Sequence, residues 1–196
     1  TAVVSVVAQL GQTLADGELL QLANTKSEDF NEKTYYEVIR KKTASLFSAC
    51  AQVGTILAGG NEDEVERMRR FGQLTGTCFQ LRDDIFDYYD STEIGKPTGN
   101  DMVEGKLTLP VIYAVNNGGN EDMRRLALNV KEHSVSADEI AQLVDYTKQM
   151  GGIEYAERRM WEFHAQAQQF IDDRVGQPDV KVALQTYLDY VIKRTK

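Results

Sequence analysis

The sequence predicts an all-α protein. Apolar residues recur at spacings of three and four along almost the whole chain, a period typical of amphipathic helices. Only three prolines occur in 196 residues, so long stretches are free to be helical. Glycine pairs and capping residues fall between the periodic segments, where helices end and begin. We therefore expect a helical bundle, and a chain of this length can bury a core without disulfides or metals.

Three helices are predicted in the first half of the chain, over about residues 1–22, 32–58 and 61–89. The first is amphipathic, although its valines would also tolerate a strand, and a polar loop follows it. Asn31 can cap the second helix, which the glycine pair at 59–60 can end. Asn61 with Glu64 three positions later resembles a capping box that opens the third helix.

Residues 90–110 interrupt this pattern with two prolines and three glycines. An irregular stretch of this length inside a helical domain is more often functional than idle. Further helices are expected beyond it, with Ser136 and Glu139 opening one and Pro178 in the first turn of the last. Their approximate bounds are residues 109–131 with a break at 118–119, 136–150, 153–175 and 178–194.

Composition excludes several classes of function. Thirty acidic against 22 basic residues give a net charge of -8, which argues against a nucleic-acid surface. No apolar run reaches the roughly 20 residues of a membrane span. Cys50 and Cys78 have neither metal-ligand spacing nor a secreted-scaffold pattern, so we expect a cytoplasmic protein in which both are small buried hydrophobes.

An acidic cluster lies near the end of the third predicted helix. Gln80, Asp83, Asp84 and Asp87 fall within an arc of roughly 100° on a helical wheel. Carboxylates at this spacing repel one another, so they favour a compensating cation. Oxygen ligands suit a hard divalent ion, and Mg²⁺ that bridges to a phosphate fits best. The alternative is a solvated acidic face.

The same helical face carries Gly72 and Gly76. A glycine inside a helix costs up to about 1 kcal/mol relative to alanine, so two on one face need a reason. One hypothesis is that they leave room for a ligand beside the carboxylates. The alternative is close packing against a neighbouring helix.

Three lysines complete the candidate site: Lys42 in the second predicted helix, and Lys96 and Lys106 in the irregular stretch. Each alone would be an ordinary surface residue. Together with an acidic cluster, they favour a diphosphate held between a metal ion and ammonium groups.

These residues occur in ordered motifs that resemble the trans-isoprenyl (polyprenyl) diphosphate synthase family. The segment from Gly76 to Asp87 is similar to its second aspartate-rich motif, and the segment from Tyr36 to Phe47 to its lysine-threonine helix. Glu18 falls where the family has a Gly-Gln or Gly-Glu element. Further matching motifs lie at residues 95–97, 99–101 and 104–110.

The resemblance implies an isoprenoid synthase-type helical bundle around a central cavity. It also implies a reaction in which Mg²⁺ and an allylic diphosphate yield pyrophosphate and an allylic cation. The double bond of isopentenyl diphosphate attacks that cation, and loss of a proton leaves a chain longer by five carbons in trans geometry. The two substrates would be the partners of the site, together with a second subunit in a homodimer.

Roles for individual residues also follow from the resemblance. Asp83 would bind Mg²⁺ directly, and Asp84 and Asp87 would support it. The remaining assignments concern substrate binding and catalysis. Lys42 and Lys96 would hold the leaving diphosphate with Lys106 near it, and Thr43 and Gln80 would place oxygen dipoles beside the cation.

One departure from the family is large, because the sequence contains a single DDxxD motif and the family has an earlier one as well. We therefore expect residues 1–196 to be the C-terminal part of one polyprenyl synthetase domain, without its first helices. A non-catalytic regulatory subunit of a heteromeric prenyl synthase is the alternative. Gln21 and Ala23 are weakly similar to medium- and long-chain members, but the product length stays open.

Overall fold

The computed structural model describes residues 2–89 and 98–194, and every regular element within them is helical. This result confirms the predicted all-α class. Within the same residues, none of the helices has the length and apolar character of a membrane span. The helices are α1 (Ala2–Thr25), α2 (Glu32–Ile39), α3 (Ser45–Leu57), α4 (Glu62–Phe86), α5 (Asn100–Val103), α6 (Leu109–Asn117), α7 (Glu121–Lys131), α8 (Ala137–Gln149), α9 (Gly152–Arg174) and α10 (Pro178–Lys193).

The predicted helix starts are confirmed at three positions. Asn31 Oδ1 accepts a backbone N–H from the first turn of α2 at 2.9 Å. Asn61 and Glu64 exchange reciprocal hydrogen bonds of 2.8 and 3.0 Å at the start of α4. Ser136 and Glu139 form a full capping box at the start of α8. Each cap satisfies backbone donors that have no partner within the helix.

The helix predicted over residues 32–58 contains a feature that its periodicity does not reveal. A π-helical turn at Arg40–Ala44 separates α2 from α3. Such turns are rare and often occur at functional sites, because the extra residue in the turn redirects the side chains. Lys42 and Thr43 both lie within this turn.

The helices group into two compact units. The first unit comprises residues 2–19, 37–82 and 159–194. Its core includes four buried side chains, and the ring of Phe170 stacks on one of them with centroids 5.5 Å apart. These four are Phe71, Ala167, Ile171 and Leu188.

The second unit comprises residues 20–36 together with the described part of 83–158. Helices α5 to α8 pack against one another within it. Its core includes the buried apolar faces of α6, α7 and α8. Fully buried members include Leu109, Val111, Ala114, Ala127, Val130 and Leu143.

A buried lysine anchors the loop before α2 within the second unit. Lys131 Nζ donates to the backbone oxygens of Asn24, Ser27 and Asp29 at 3.0, 2.8 and 2.7 Å. An ammonium group has three N–H donors, so the loop satisfies all of them. Burial lowers the pKa of Lys131, and the carbonyl dipoles offset part of that cost. The loop is therefore fixed immediately before α2.

The cysteine prediction is half correct. Cys78 is fully buried, as expected, whereas Cys50 is exposed, so its assignment as a buried hydrophobe was wrong. Periodicity places both residues on mainly apolar stretches, but it does not identify which helical face has a partner. Both cysteines are free thiols.

Candidate functional site

Lys42, in the π-helical turn, is held close to α1. Lys42 Nζ forms an ion pair with Glu18 Oε1 at 2.9 Å. Gly17 makes this approach possible, because a Cβ atom there would lie 2.8 Å from Lys42 Cγ and 2.9 Å from Lys41 Cβ. The Asp16 carboxylate lies 3.7 Å from Lys41 Nζ on the same side. The turn therefore presents its ammonium groups next to the acidic side chains Asp16 and Glu18 of α1.

Thr43 and Gln80 come from different helical segments of the first unit and form a pair. Thr43 Oγ1 donates a hydrogen bond of 2.6 Å to Gln80 Oε1. The rings of Phe47 in α3 and Phe79 in α4 also pack together, with centroids 5.1 Å apart. The two residues that were predicted to supply oxygen dipoles are thus brought together where the π-helical turn meets α4.

The two glycines of α4 serve packing. A Cβ atom on Gly72 would lie 2.6 Å from the Phe47 carbonyl oxygen, and one on Gly76 would lie 2.7 Å from Ala44 Cα. Space beside these glycines is therefore filled by the backbone of the preceding helix. The hypothesis that they leave room for a ligand was wrong, and the alternative of close helix packing is correct.

In the second unit, the three aspartates of the motif have different surroundings. Asp84 is 3% exposed and accepts a 2.5 Å hydrogen bond from the Tyr35 hydroxyl. Asp87 accepts the backbone N–H groups of Asn100 and Asp101 at 2.9 and 3.1 Å, and so caps α5. Asp83 is partly exposed. Asp84 and Asp87 are therefore fixed by other parts of the chain, which suits the supporting role that the motif implies.

Negative charge is concentrated in this region. Burial, with the charge of Asp87 next in importance, raises the pKa of Asp101 from 3.8 to about 6. Burial and the neighbouring Asp84 charge raise the pKa of Tyr35 well above its ordinary value, so its hydroxyl stays protonated and donates. Both shifts indicate a site where added positive charge is favourable.

The fit to Mg²⁺ can be tested on this donor set. Carboxylate oxygens are the ligands that a hard divalent cation prefers. Within residues 2–89 and 98–194, however, no group of three or more His, Cys, Asp and Glu side chains is arranged to hold a metal ion by itself. The chemical type of these donors therefore suits Mg²⁺. The remaining ligands of the ion would have to be water or phosphate oxygens, which Mg²⁺ commonly binds in proteins.

Lys106 lies on a loop that is anchored to the same region. Its backbone N–H donates to the Asp101 carbonyl at 2.8 Å, and its Nζ lies 2.5 Å from Glu104 Oε2. Gly105 has a φ of +74°, and a Cβ atom there would lie 2.5 Å from the His133 ring. The loop therefore needs glycine at this position. Lys96, the other predicted lysine of this stretch, lies outside the described residues.

One residue of this site was missed by the sequence analysis. Tyr35 has no role in the sequence analysis, yet its hydroxyl holds Asp84, 49 positions away in the chain. No local signal marks such a contact, because it depends on which helix packs against which.

Comparison with known proteins shows which family the chain resembles. Residues 1–147 match the family model for polyprenyl synthetases. The octaprenyl diphosphate synthase of Escherichia coli (strain K12) is 39% identical over 131 residues, which cover 66% of this chain and 41% of that protein. The short chain isoprenyl diphosphate synthase of Methanothermobacter thermautotrophicus is 30% identical over 193 residues, 97% of this chain and 58% of that protein.

Solved structures show the same fold. The geranylgeranyl pyrophosphate synthase from Bacteroides thetaiotaomicron superposes with a TM-score of 0.92 at 47% identity, covering 97% of this chain and 63% of that one. The polyprenyl synthase from Caulobacter crescentus, complexed with calcium and isoprenyl diphosphate, gives a TM-score of 0.89 at 26% identity, covering 100% and 60%. The chain thus spans between 41% and 63% of the length of these relatives. By its family match, its relatives and its fold, the chain belongs to the polyprenyl synthetase family.

Proposed function

We propose that the chain carries the diphosphate-ionising part of a trans-prenyltransferase. The enzyme would condense an allylic diphosphate with isopentenyl diphosphate and so lengthen a polyprenyl diphosphate. The observation that carries this proposal is the fixed acidic cluster, in which Asp84 and Asp87 are oriented by donors from elsewhere in the chain. Groups that are oriented before the reaction stabilise developing charge without having to reorganise.

The aspartates fit the metal-binding part of this reaction. Asp83 would bind Mg²⁺, with Asp84 and Asp87 in support. When bound, Mg²⁺ would supply positive charge to the pyrophosphate leaving group. The chain's own contribution is to hold Asp84 and Asp87 in place through the Tyr35 hydroxyl and the backbone donors.

The lysines fit the handling of the leaving group. Lys42 would exchange its partner Glu18 for a diphosphate oxygen, because a doubly charged phosphate attracts an ammonium group more strongly than one carboxylate does. Lys96 and Lys106 would add further positive charge near the leaving group. Negative charge on pyrophosphate grows as the allylic C–O bond breaks, so these contacts would strengthen towards the transition state.

Thr43 and Gln80 fit the carbon end of the allylic C–O bond, where positive charge develops. Their hydrogen bond fixes the direction of two oxygen-bearing side chains. Oxygen dipoles beside an allylic group stabilise positive charge as it develops there, without supplying a nucleophile as strong as a carboxylate. The retention of this pair together with Lys42 and Asp83 favours a catalytic chain over a regulatory subunit.

The assembly is also a proposal. We infer a homodimer in which α1 contributes to the interface, because this helix has four large apolar side chains that are at least half exposed. Large exposed apolar surfaces favour association. The residues are Val4, Val7, Leu19 and Leu22, which are 71%, 57%, 65% and 60% exposed. The cysteines, both free thiols, support a cytoplasmic location.

Calorimetry with inorganic pyrophosphate tests the proposed function. We expect binding that strengthens when Mg²⁺ is added. Asp83→Ala should weaken the Mg²⁺-dependent binding by about 10-fold or more, because it removes a metal ligand. Lys42→Ala should weaken binding in the presence and in the absence of Mg²⁺.

Two matched variants control for loss of surface charge. Asp145→Ala removes an exposed aspartate from α8. Lys181→Ala removes a lysine that is ion-paired at 2.7 Å, much as Lys42 is. Both should bind pyrophosphate as the wild-type protein does. Binding that ignores Mg²⁺, or an unchanged affinity in Asp83→Ala, would contradict the proposal.

A further inference from the structure

Tyr35 makes a buried contact with the aspartate-rich motif. Its hydroxyl lies 2.5 Å from Asp84 Oδ2, and the two residues are only 5% and 3% exposed. Donor–acceptor distances of about 2.5–2.7 Å are typical of a hydroxyl that donates to an ionised carboxylate, and such bonds are stronger than neutral ones. A buried carboxylate without a donor would be costly, so this bond offsets part of the cost of burying Asp84.

The Tyr35 side chain is mounted rigidly. The backbone N–H of Tyr35 donates to the Asn31 carbonyl at 3.1 Å, which places the residue in the first turns of α2. Its ring packs edge-on against Tyr36 with centroids 5.3 Å apart. The loop before α2 is in turn held by the buried ammonium group of Lys131. The direction of the phenol is therefore set by the fold and not by Asp84 alone.

We propose that Tyr35 is a positioning residue for diphosphate ionisation, which fixes the Asp84 carboxylate beside Asp83 and so sets the affinity of the acidic cluster for Mg²⁺ with pyrophosphate. This role rests on the proposed function. With Oδ2 held by the phenol, the Asp84 carboxylate cannot rotate freely, and its charge stays at a fixed place next to the adjacent Asp83. Donors that orient the carboxylates of a metal site typically affect metal affinity or activity by about 10–100-fold when they are removed.

A purely structural role makes a different prediction. If Tyr35 only stabilised the fold, its loss would lower the melting temperature and leave ligand affinity unchanged in the protein that remains folded. If it positions Asp84, affinity falls even where folding is intact. Tyr35→Phe separates the two, because it keeps the ring and removes only the hydroxyl.

The chain offers a matched control in the same unit. The Tyr155 hydroxyl donates to the carboxylate of Glu32 at 2.8 and 2.9 Å. Tyr155→Phe therefore removes the same kind of bond from a carboxylate outside the motif. We expect both variants to lower the melting temperature, and only Tyr35→Phe to weaken pyrophosphate binding in the presence of Mg²⁺.

The measurement is calorimetric titration of the protein with pyrophosphate, with and without Mg²⁺. Tyr35→Phe should raise the dissociation constant measured with Mg²⁺ by about 10–100-fold. In an Asp84→Asn background the same substitution should change it by less than about 3-fold, because the contact it removes is already altered.

The outcomes distinguish this role from the function on which it rests. Wild-type binding that does not respond to Mg²⁺ would overturn the proposed function and the role of Tyr35 with it. Wild-type binding that responds to Mg²⁺ and is unchanged in Tyr35→Phe would overturn the role of Tyr35 alone. Equal losses of affinity in Tyr35→Phe and Tyr155→Phe would also overturn it.

Discussion

Donors from distant parts of the chain hold the oxygens of Asp84 and Asp87. Tyr35 donates to the first, and the backbone of α5 donates to the second. Carboxylates three or four positions apart on a helix repel one another, and donors directed at them reduce that cost. A cluster that is already ordered also loses less conformational entropy when it binds a ligand. The hydrogen bonds thus favour both the folded state and the binding of a cation.

Burial makes the two cysteines differ in reactivity. Burial raises the pKa of the Cys78 thiol from its ordinary value of 9.0 to about 12, whereas Cys50 is exposed. An accessible thiolate is the nucleophile that attacks a thiol reagent. We expect one thiol per chain to react quickly with a disulfide reagent at pH 8, and the second to react only after denaturation. Cys50→Ser should abolish the fast reaction.

The same shift predicts a pH dependence of stability. The pKa of Cys78 is higher in the folded protein than its ordinary value, so folding favours the protonated thiol. This contribution is fully present below about pH 9 and is lost as the pH rises towards 12. Two thiols that react at the same rate in the native protein would contradict the assigned burial of Cys78.

At the scale of elements, the contact between α4 and the preceding helical segment depends on two glycines, which have no side chain. Gly72 and Gly76 allow the backbone of α4 to approach Phe47 and Ala44. Sequence alone left packing and ligand space as alternatives, because a stripe of glycines has the same appearance in both cases. Tertiary packing determines whether a neighbouring helix or a ligand occupies the space beside these glycines.

Substitution of these glycines tests the helix contact. Gly72→Ala and Gly76→Ala should each lower the free energy of unfolding by about 1–3 kcal/mol, because the added methyl group meets backbone atoms that cannot move aside. Gly54→Ala in α3 is the control, since a Cβ there meets nothing within 4 Å. It should raise the free energy of unfolding by about 0.5–1 kcal/mol. Urea denaturation measures all three, and stabilisation by Gly76→Ala would contradict the close contact.

Helix starts were predictable from the sequence, whereas the π-helical turn was not. Asn61 and Ser136 cap helices through residues three positions away, so the signal is local. The turn at Arg40–Ala44 has no such signal, because one additional residue in a turn changes the hydrophobic period very little. Periodicity therefore predicted one helix over residues 32–58 where the structure has two and a π-turn.

At the scale of the whole molecule, the motif identified the residues of the site and the fold supplied their partners. Asp83, Lys42 and Gln80 could be selected from spacing and resemblance. The Thr43–Gln80 and Tyr35–Asp84 hydrogen bonds join residues 37 and 49 positions apart. Contacts at such separations depend on the arrangement of helices, which a single sequence does not specify.

The last prediction concerns elongation by the chain itself. Residues 1–196 contain a single DDxxD motif, and the family resemblance implies an earlier one as well. Holding two reactants together can contribute about 7–11 kcal/mol to lowering a barrier, and this contribution is lost when the binding site of one reactant is incomplete. We expect residues 1–196 alone to bind pyrophosphate with Mg²⁺ and yet to make no prenyl product. The same residues joined to a segment that carries the first aspartate-rich motif should elongate an allylic primer. Incorporation of labelled isopentenyl diphosphate measures both proteins, with Asp83→Ala in the longer one as the inactive control. Elongation by residues 1–196 alone would show that the groups described in the two units are sufficient for the whole reaction.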